Sequence, residues 1–265
     1  MKKLIALFLV MIVAVSLFAC GKTEQKSVVV GYTIYAPMNY KDDSGKLVGF
    51  DTALAEAVFG KLGYKVIFQE IDWKAKYTDL NAGTIDCIWN GFTCNASDDD
   101  GIARTEKVDF SYNYMRNLQV VVVKKDSAIK AASDLADKMG AAEAGSAGES
   151  YAKSLEGVQE DNIKGFGVQT ECLREVKAGT RDFAVVDEQL AKSYCGKGDY
   201  ADLQIVEALS SDLEYYAIGF KKESKLTAKV NKALEELAAD GTIAKLAEKY
   251  SLSNSVITDF ADQKK

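Results

Sequence analysis

The chain has 265 residues, a formal net charge of −6 and no histidine. The absence of histidine excludes zinc sites that use imidazole, Ser-His-Asp triads and Cys-His pairs. An acidic chain without a basic run also argues against a nucleic-acid partner. Its hydrophobic fraction of 48% is typical of a globular protein, and the length allows two modest α/β lobes.

The N-terminal segment is typical of an exported protein. Lys2 and Lys3 precede an apolar stretch over residues 4–18, and the sequence Leu17-Phe18-Ala19-Cys20 looks like a lipobox, in which the cysteine sulfur takes a diacylglycerol. About 15 apolar residues are too few to span a bilayer comfortably. We predict a lipoprotein signal peptide over 1–19, a lipid anchor at Cys20 and a tether over 20–27. The alternative is an ordinary secretory signal that is cut elsewhere.

The stretch from Gly49 to Thr93 is the most informative part of the sequence. Leu54, Val58 and Leu62 recur every four residues, which predicts a helix with one apolar face that ends at Gly63. Asp51 lies where a carboxylate can cap the start of that helix.

The second half of this stretch predicts a binding loop. A β-rich run over 64–71 is followed by a loop that carries Trp73, a short helix, and a buried strand over 85–90 that ends on Gly91 and Thr93. Loops at the carboxyl ends of buried α/β strands are where such sheets bind small molecules.

The order of these segments resembles the bacterial extracellular solute-binding proteins of family 3, the polar amino-acid receptors of ABC importers. The residues that carry the resemblance are Gly49-Phe50-Asp51, Asp72-Trp73, Gly83 to Asp86, Trp89-Asn90-Gly91, Lys107 to Ser111 and Ala239 to Thr242. The similarity runs through almost the whole chain after the signal segment. One departure is Ala53, where the family often has a second acidic residue.

The resemblance implies an α/β fold with two lobes, the type II periplasmic-binding-protein-like fold, in which two β crossovers form a hinge. We expect lobe 1 over 28–117 and 221–252, lobe 2 over 125–213, hinge strands over 118–124 and 214–220, and a C-terminal tail over 253–265. Within lobe 2 the pattern predicts helices over 133–137, from Glu149 and over 169–178, with strands over 140–144 and 183–186. Two amphipathic helices then close lobe 1, and residues after Leu252 are expected to be loosely attached.

An amino-acid zwitterion needs a carboxylate for its ammonium group and hydrogen-bond donors for its carboxylate. Asp187 follows a buried strand and meets the first need; a simple N-cap for the next helix is the alternative. The resemblance adds the Gly91 carbonyl and the Thr93 hydroxyl to the ammonium site, although Thr93 also fits ordinary turn chemistry.

For the ligand carboxylate, the resemblance points to the Ser146 hydroxyl and the Ala147 amide, at a helix N-terminus that favours anions. The family's arginine follows about five residues after the threonine, but Asp98 occupies that spacing here. An insertion of about six residues would make Arg104 the equivalent residue, since the residues that follow it, Thr105 to Ser111, match the sequence that follows the family's arginine. Alternatively Arg104 faces solvent and Arg116 or backbone amides bind the carboxylate.

The ligand side chain is expected to lie between Tyr35 and Trp73, above Phe92, at positions where the family places aromatic residues. Glu143 stands where many relatives carry Gln or Lys, so a carboxylate there could favour a cationic or hydroxyl-bearing ligand. Its alternative is an exposed charge at a strand end. The stretch 32–34 replaces an acidic segment of the relatives, which leaves the particular amino acid open.

Four further cysteines allow three disulfide connectivities. Cys87 is predicted to be a buried apolar residue, whereas Cys172 and Cys195 are either paired or free. The acidic run 98–100 does not fit an EF-hand register and is predicted to be a solvated loop.

These observations predict an extracytoplasmic binding protein, not an enzyme, on the cell surface or in the periplasm. We expect an amino-acid ligand, a membrane permease as partner, attachment to the membrane surface through lipid, a monomer, and neither cofactor nor metal. The alternative is an enzyme of the same fold that dehydrates prephenate or arogenate, with Glu143 or another acid as the proton donor. A signalling sensor is a third possibility.

Overall fold

The computed structural model describes residues 25–264, which form two lobes that each contain a five-stranded sheet. In spatial order, the first sheet consists of β4 (Lys65–Glu70), β1 (Ser27–Tyr32), β5 (Cys87–Ile88), β14 (Gly219–Phe220) and β6 (Asp109–Phe110). The second consists of β10 (Ile163–Phe166), β9 (Gly140–Glu143), β11 (Phe183–Asp187), β8 (Gln119–Lys124) and β12 (Leu203–Ser210). A short hairpin joins β2 (Tyr40–Lys41) and β3 (Leu47–Val48).

Helices flank both sheets. The first lobe contains α1 (Phe50–Lys61), α2 (Lys76–Ala82), α3 (Arg104–Lys107), α7 (Lys225–Ala239) and α8 (Thr242–Lys249). The second contains α4 (Ala147–Ser154), α5 (Gln169–Ala178) and α6 (Glu188–Tyr194). The helix that the sequence predicts over 133–137 is a 3₁₀ turn, Ala132–Leu135, and α4 begins two residues earlier than expected, because Ser146 caps it.

Two segments of the chain cross between the lobes, which confirms the predicted architecture with two β crossovers. β7 (Met115–Asn117) is separated from β8 by Leu118 alone, and β13 (Glu214–Tyr216) leads to β14 after two residues. β7 and β13 pair antiparallel, with Glu214 opposite Asn117. The crossing point is therefore a two-stranded ribbon between the sheets.

The sheets direct their carboxyl ends toward the space between the lobes. β1 runs parallel to β4 and β5, and β9 runs parallel to β10 and β11. Residues that follow parallel strands meet at one sheet edge. Thr33, Asn90, Glu143 and Asp187 consequently lie on the facing edges of the two sheets.

The hydrophobic core explains why β8 reads as a continuous apolar run. Val120 and Val122 belong to one buried cluster, and Val121 and Val123 belong to another. A strand whose alternate side chains enter two cores is buried on both faces.

Asp51 does not cap α1, so this prediction from the sequence is wrong. The N-cap is Gly49, and its cap position receives no side-chain hydrogen bond. Asp51 is 1% exposed, and its Oδ2 accepts hydrogen bonds from the Gly91 amide at 2.8 Å and the Tyr114 hydroxyl at 2.9 Å. The carboxylate thus holds the turn after β5 instead of the helix start.

The prediction of a loose C-terminal segment after Leu252 is also wrong. Val256, Ile257 and Phe260 are buried. The Arg116 amide donates to the Ser255 carbonyl at 2.8 Å, and the Ile257 amide donates to the Tyr114 carbonyl at 2.8 Å. The apolar residues after Leu252 close the core beside β7, which a reading based on helix periodicity overlooks.

The predicted signal peptide and Cys20 lie outside the described residues. Between residues 25 and 264, no helix is both long enough and apolar enough to cross a membrane. The four cysteines in this range, Cys87, Cys94, Cys172 and Cys195, are free thiols, so Cys172 and Cys195 are not paired. Cys87 is fully buried in β5, as predicted.

Candidate functional site

The candidate site is the cleft where the two sheet edges face each other. The Thr33 hydroxyl of the first lobe lies 3.5 Å from Glu143 Oε1 of the second, and Lys76 Nζ donates to the Gly145 carbonyl at 2.9 Å. A cavity of about 290 Å³ opens at the second of these contacts; Lys76 and Gly145 line it together with Tyr77, Asp98 and Ser150, whereas Glu143 and Asp187 lie outside its lining. The lobes therefore touch around a partly enclosed space.

Asp187 lies at the end of β11 and is 6% exposed. Its Oδ1 accepts hydrogen bonds from Gln119 Nε2 at 2.6 Å and Asn117 Nδ2 at 2.7 Å, while Oδ2 accepts a short bond from Gln169 Nε2. The side chain makes no cap bond to α6, so the alternative role as a helix cap is not observed. Burial raises the pKa of Asp187, and the amide donors counteract part of that effect.

Glu214 was not identified from the sequence, yet its carboxylate shares donors with Asp187. Glu214 Oε2 accepts from Gln119 Nε2 at 2.9 Å, Asn117 Nδ2 at 3.2 Å and the Thr93 hydroxyl at 3.2 Å. A signal was available: Asn117 and Gln119 are two residues apart, so in extended chain their polar side chains point to the same side where β7 meets β8.

Glu143 lies at the end of β9 and is 3% exposed, so the alternative of an exposed strand-end charge is excluded. Burial and the nearby Asp187 raise its pKa to about 8, while Lys76 and hydrogen bonds from Gln169 and Thr33 act in the opposite direction. Gln169 therefore stands between the two carboxylates of Glu143 and Asp187.

Arg104 is 1% exposed, which excludes the alternative in which it faces solvent. Its Nε donates to Asp98 Oδ1 at 2.8 Å, and Nη1 donates to the Thr93 carbonyl at 3.1 Å. Within residues 25–264 the buried Nη2 has no hydrogen-bond partner. The chain between Thr93 and Arg104 loops out and returns, because the Arg104 amide donates to the Ala96 carbonyl at 3.0 Å.

The acidic run beside this loop is not simply solvated, in contrast to the prediction. Asp98 also accepts a hydrogen bond from Lys107 Nζ at 2.8 Å. Burial raises the pKa of Asp98, but the nearby positive charges of Arg104 and Lys107 outweigh this effect and lower the pKa to about 2. Asp99 reaches the other lobe, where it accepts from the Ser150 hydroxyl at 3.0 Å and Lys153 Nζ at 3.1 Å. The loop is thus a third contact between the lobes.

The aromatic residues lie along the first lobe. The hydroxyls of Tyr35 and Tyr216 are hydrogen-bonded at 2.8 Å. Both rings pack against Gly91, which has a φ of +59°. A Cβ at this position would lie 2.7 Å from the Tyr35 ring, so Gly91 cannot carry a side chain. Trp73 packs edge-on against Phe92, with ring centroids 5.5 Å apart. Phe92 is fully buried and carries the Arg104 guanidinium 5.2 Å from its centroid.

Ser146 and Ala147 form the start of α4. Ser146 Oγ accepts from the Glu149 amide at 3.0 Å and so caps the helix, while its hydroxyl proton is left for another acceptor. Amides of the first turn have no partner within the helix. A Cβ on Gly148 would lie 2.9 Å from Gln119 Oε1, so the helix start adjoins the donors of Asp187.

Lys76 is a second buried cation that sequence reasoning missed. Its ammonium group donates to the carbonyls of Gly145 at 2.9 Å and Trp73 at 3.4 Å, and lies 4.7 Å from the Tyr77 ring centroid. Burial, together with the nearby Arg104, lowers the pKa of Lys76 to about 8. A lysine at the start of a short helix carries no pattern that would single it out.

The sequence also matches the model of a known family. Residues 28–253 match the model of the bacterial extracellular solute-binding proteins, family 3. The chain belongs to this family.

Several amino-acid-binding proteins resemble it over nearly their full length. The arginine-binding extracellular protein ArtP of Bacillus subtilis is 30% identical, over 94% of this chain and 98% of that protein. An ancestral arginine-binding protein in complex with arginine is 36% identical and superposes with a TM-score of 0.76, over 85% of this chain and 98% of that one. The ancestral amino acid-binding protein AncCDT-1, a precursor of cyclohexadienyl dehydratase, is 32% identical with a TM-score of 0.74, over 84% and 95% of the two chains.

Proposed function

We propose that the protein is the extracellular amino-acid-binding component of an ABC importer, which captures a zwitterion between its lobes and delivers it to a membrane permease. The observation that carries this proposal is the separation of charge across the cleft. Buried Asp187 on the second lobe forms no ion pair, and buried Arg104 on the first lobe has a free nitrogen, as far as residues 25–264 are concerned. A zwitterion complements both groups at once.

In this proposal the ligand ammonium binds Asp187, the Gly91 carbonyl and the Thr93 hydroxyl. The amide donors from Gln119 and Asn117 hold the Asp187 carboxylate in place. An anion that is already hydrogen-bonded retains its charge and orientation, which suits it to receive a cation without rearrangement.

The ligand carboxylate binds Arg104, the Ser146 hydroxyl and the Ala147 amide. The free Nη2 of Arg104 supports this assignment, because a buried guanidinium donor without a partner is costly. Arg116, the alternative cation, is exposed on β7, and its amide is used by Ser255.

The ligand side chain lies by Tyr35 and Trp73, with Glu143 at its far end and Phe92 beneath Trp73. Since the ammonium and the carboxylate of the ligand each have partners on both lobes, a ligand stabilises the closed arrangement through contacts that exist only there. The hinge ribbon of β7 and β13 allows such a movement without breaking either sheet.

The same sequence logic supports a lipid anchor at Cys20 after removal of residues 1–19, which would keep the monomeric receptor close to its permease. Cys20→Ala is expected to move the protein from the membrane fraction to the medium, because it removes the thiol that accepts the lipid. Fractionation and metabolic lipid labelling measure this. An unchanged distribution with no loss of label would contradict the anchor.

A thermal-shift series with the common amino acids tests the binding function. A ligand present at one hundred times its Kd should raise the free energy of unfolding by about 2.7 kcal/mol. Incubation with prephenate, followed by product analysis, tests the dehydratase alternative. The similarity to a precursor of cyclohexadienyl dehydratase is the reason for testing this particular reaction. Dehydration without any amino-acid shift would overturn the proposal.

A further inference from the structure

Three carboxylates line one wall of the cleft and are joined by amide side chains. Asn117 and Gln119 bridge Glu214 and Asp187, at distances of 2.6 to 3.2 Å. Gln169 donates to Asp187 and lies near Glu143. The three acids therefore form a row, with Asp187 in the middle.

The cations of the cleft do not neutralise this row. Arg104 is already paired with Asp98 at 2.8 Å, and the Lys76 ammonium is held by two carbonyl oxygens. In the part of the chain that the structure describes, no Lys or Arg nitrogen approaches Glu143, Asp187 or Glu214 within 4.0 Å.

A neutral zwitterion would leave this imbalance in place. It brings one ammonium, which faces Asp187, and one carboxylate, which faces Arg104. Ionised groups that keep no counter-charge in a closed cleft are strongly destabilising, so they bind either a proton or a cation. The pKa values of Glu143 and Glu214 are raised by burial and by Asp187, which is the response expected of acids that lack a partner.

The row also has a direction. Glu214 lies on the side of Thr93, whose hydroxyl is assigned to the ligand ammonium and whose carbonyl binds Arg104, so the α-amino and α-carboxylate groups of the ligand both belong at this end. Glu143 lies at the opposite end, beside Thr33 of the other lobe. A side chain that leaves the α-carbon away from Arg104 therefore runs toward Glu143.

We infer that the ligand carries a second positive charge at the end of its side chain, and that Glu143 is the residue that selects it. The protein is then a receptor for cationic amino acids with a guanidinium or ammonium terminus. This inference rests on the proposed function. It adds that amino acids with a cationic side chain bind more tightly than neutral ones, a difference that the proposed function alone does not specify.

Calorimetry with matched ligand pairs tests it on the purified protein. L-Arginine and L-citrulline have the same length but differ in charge, and L-norleucine is L-lysine without the terminal ammonium group. We expect each cationic ligand to bind at least about 30-fold more tightly than its neutral partner, since truncating one side of a buried charge pair costs about 2 kcal/mol or more.

Glu143→Gln then assigns the selectivity to this residue. The variant should lose at least about tenfold in affinity for arginine, while citrulline binding changes by less than about threefold and reports that the site is folded. Glu207→Gln removes an exposed carboxylate from the same lobe and serves as the control for net charge.

Two results would overturn the inference and leave the proposed function intact. Citrulline or another neutral amino acid could bind as tightly as arginine, or Glu143→Gln could weaken both members of a pair equally. If none of the common amino acids bound the wild-type protein, the proposed function itself would fail, and the inference would fail with it.

Discussion

Asp187→Asn is expected to weaken amino-acid binding by more than about 2 kcal/mol, about 30-fold in Kd. The substitution keeps the shape of the side chain but removes the counter-charge of the ligand ammonium in a buried cleft. It also replaces an acceptor of three amide donors by a group that presents its own N–H to one of them. Calorimetry against the best ligand measures the loss.

Closure should change together with affinity. Solution scattering of the wild-type protein is expected to show compaction when ligand is added, and the Asp187→Asn variant should show none at the same ligand concentration. Asp161→Asn, which alters an exposed carboxylate of the same lobe, is the matched control. Compaction of the variant at near wild-type affinity would mean that the ammonium has another partner.

Arg104→Lys is expected to cost about 1.5 to 3 kcal/mol of binding free energy, the contribution of a hydrogen bond to a charged group. The guanidinium uses one nitrogen for Asp98 and one for the Thr93 carbonyl, and its third nitrogen has no partner among residues 25–264. A lysine ammonium is a single point with three donors and cannot reach all three directions of a planar fork.

Since the same residue supports the loop after Thr93, stability must be measured beside affinity. The melting temperature without ligand reports the loss of the Asp98 contact, and calorimetry reports the ligand. Arg116→Lys is the control, because that arginine is exposed on the hinge strand. A change in Kd smaller than about tenfold for Arg104→Lys would remove this residue from the carboxylate site.

The fold could be read from the sequence because its signals are local. The valine run of β8, the apolar stripe of α1 and the strand that ends on Asp187 each specify an element within a few residues. The family resemblance supplied the order of the elements and the hinge, which periodicity alone does not give.

The missed residues share a different property: each acts through a contact distant in sequence. Glu214 meets Thr93 across 121 residues, and Asp51 meets Gly91 across 40. Lys76 meets Gly145 across 69 residues. A carboxylate or a lysine at the end of a helix or strand can form several kinds of local contact. Which partner it binds is determined only when the chain folds and distant segments pack together.

The return of the chain to the first sheet has a consequence for the order of folding. All five strands of the second sheet lie within residues 119–210, so its pairing can be completed as soon as that segment is available. The first sheet must wait, because β14 (Gly219–Phe220) is the neighbour of both β5 and β6. During export, when the N-terminal half emerges first, β6 therefore has no strand to pair with until more than 200 residues have crossed the membrane. We therefore expect the second sheet to be completed before the first, whose strand β6 can pair only after β14 has arrived.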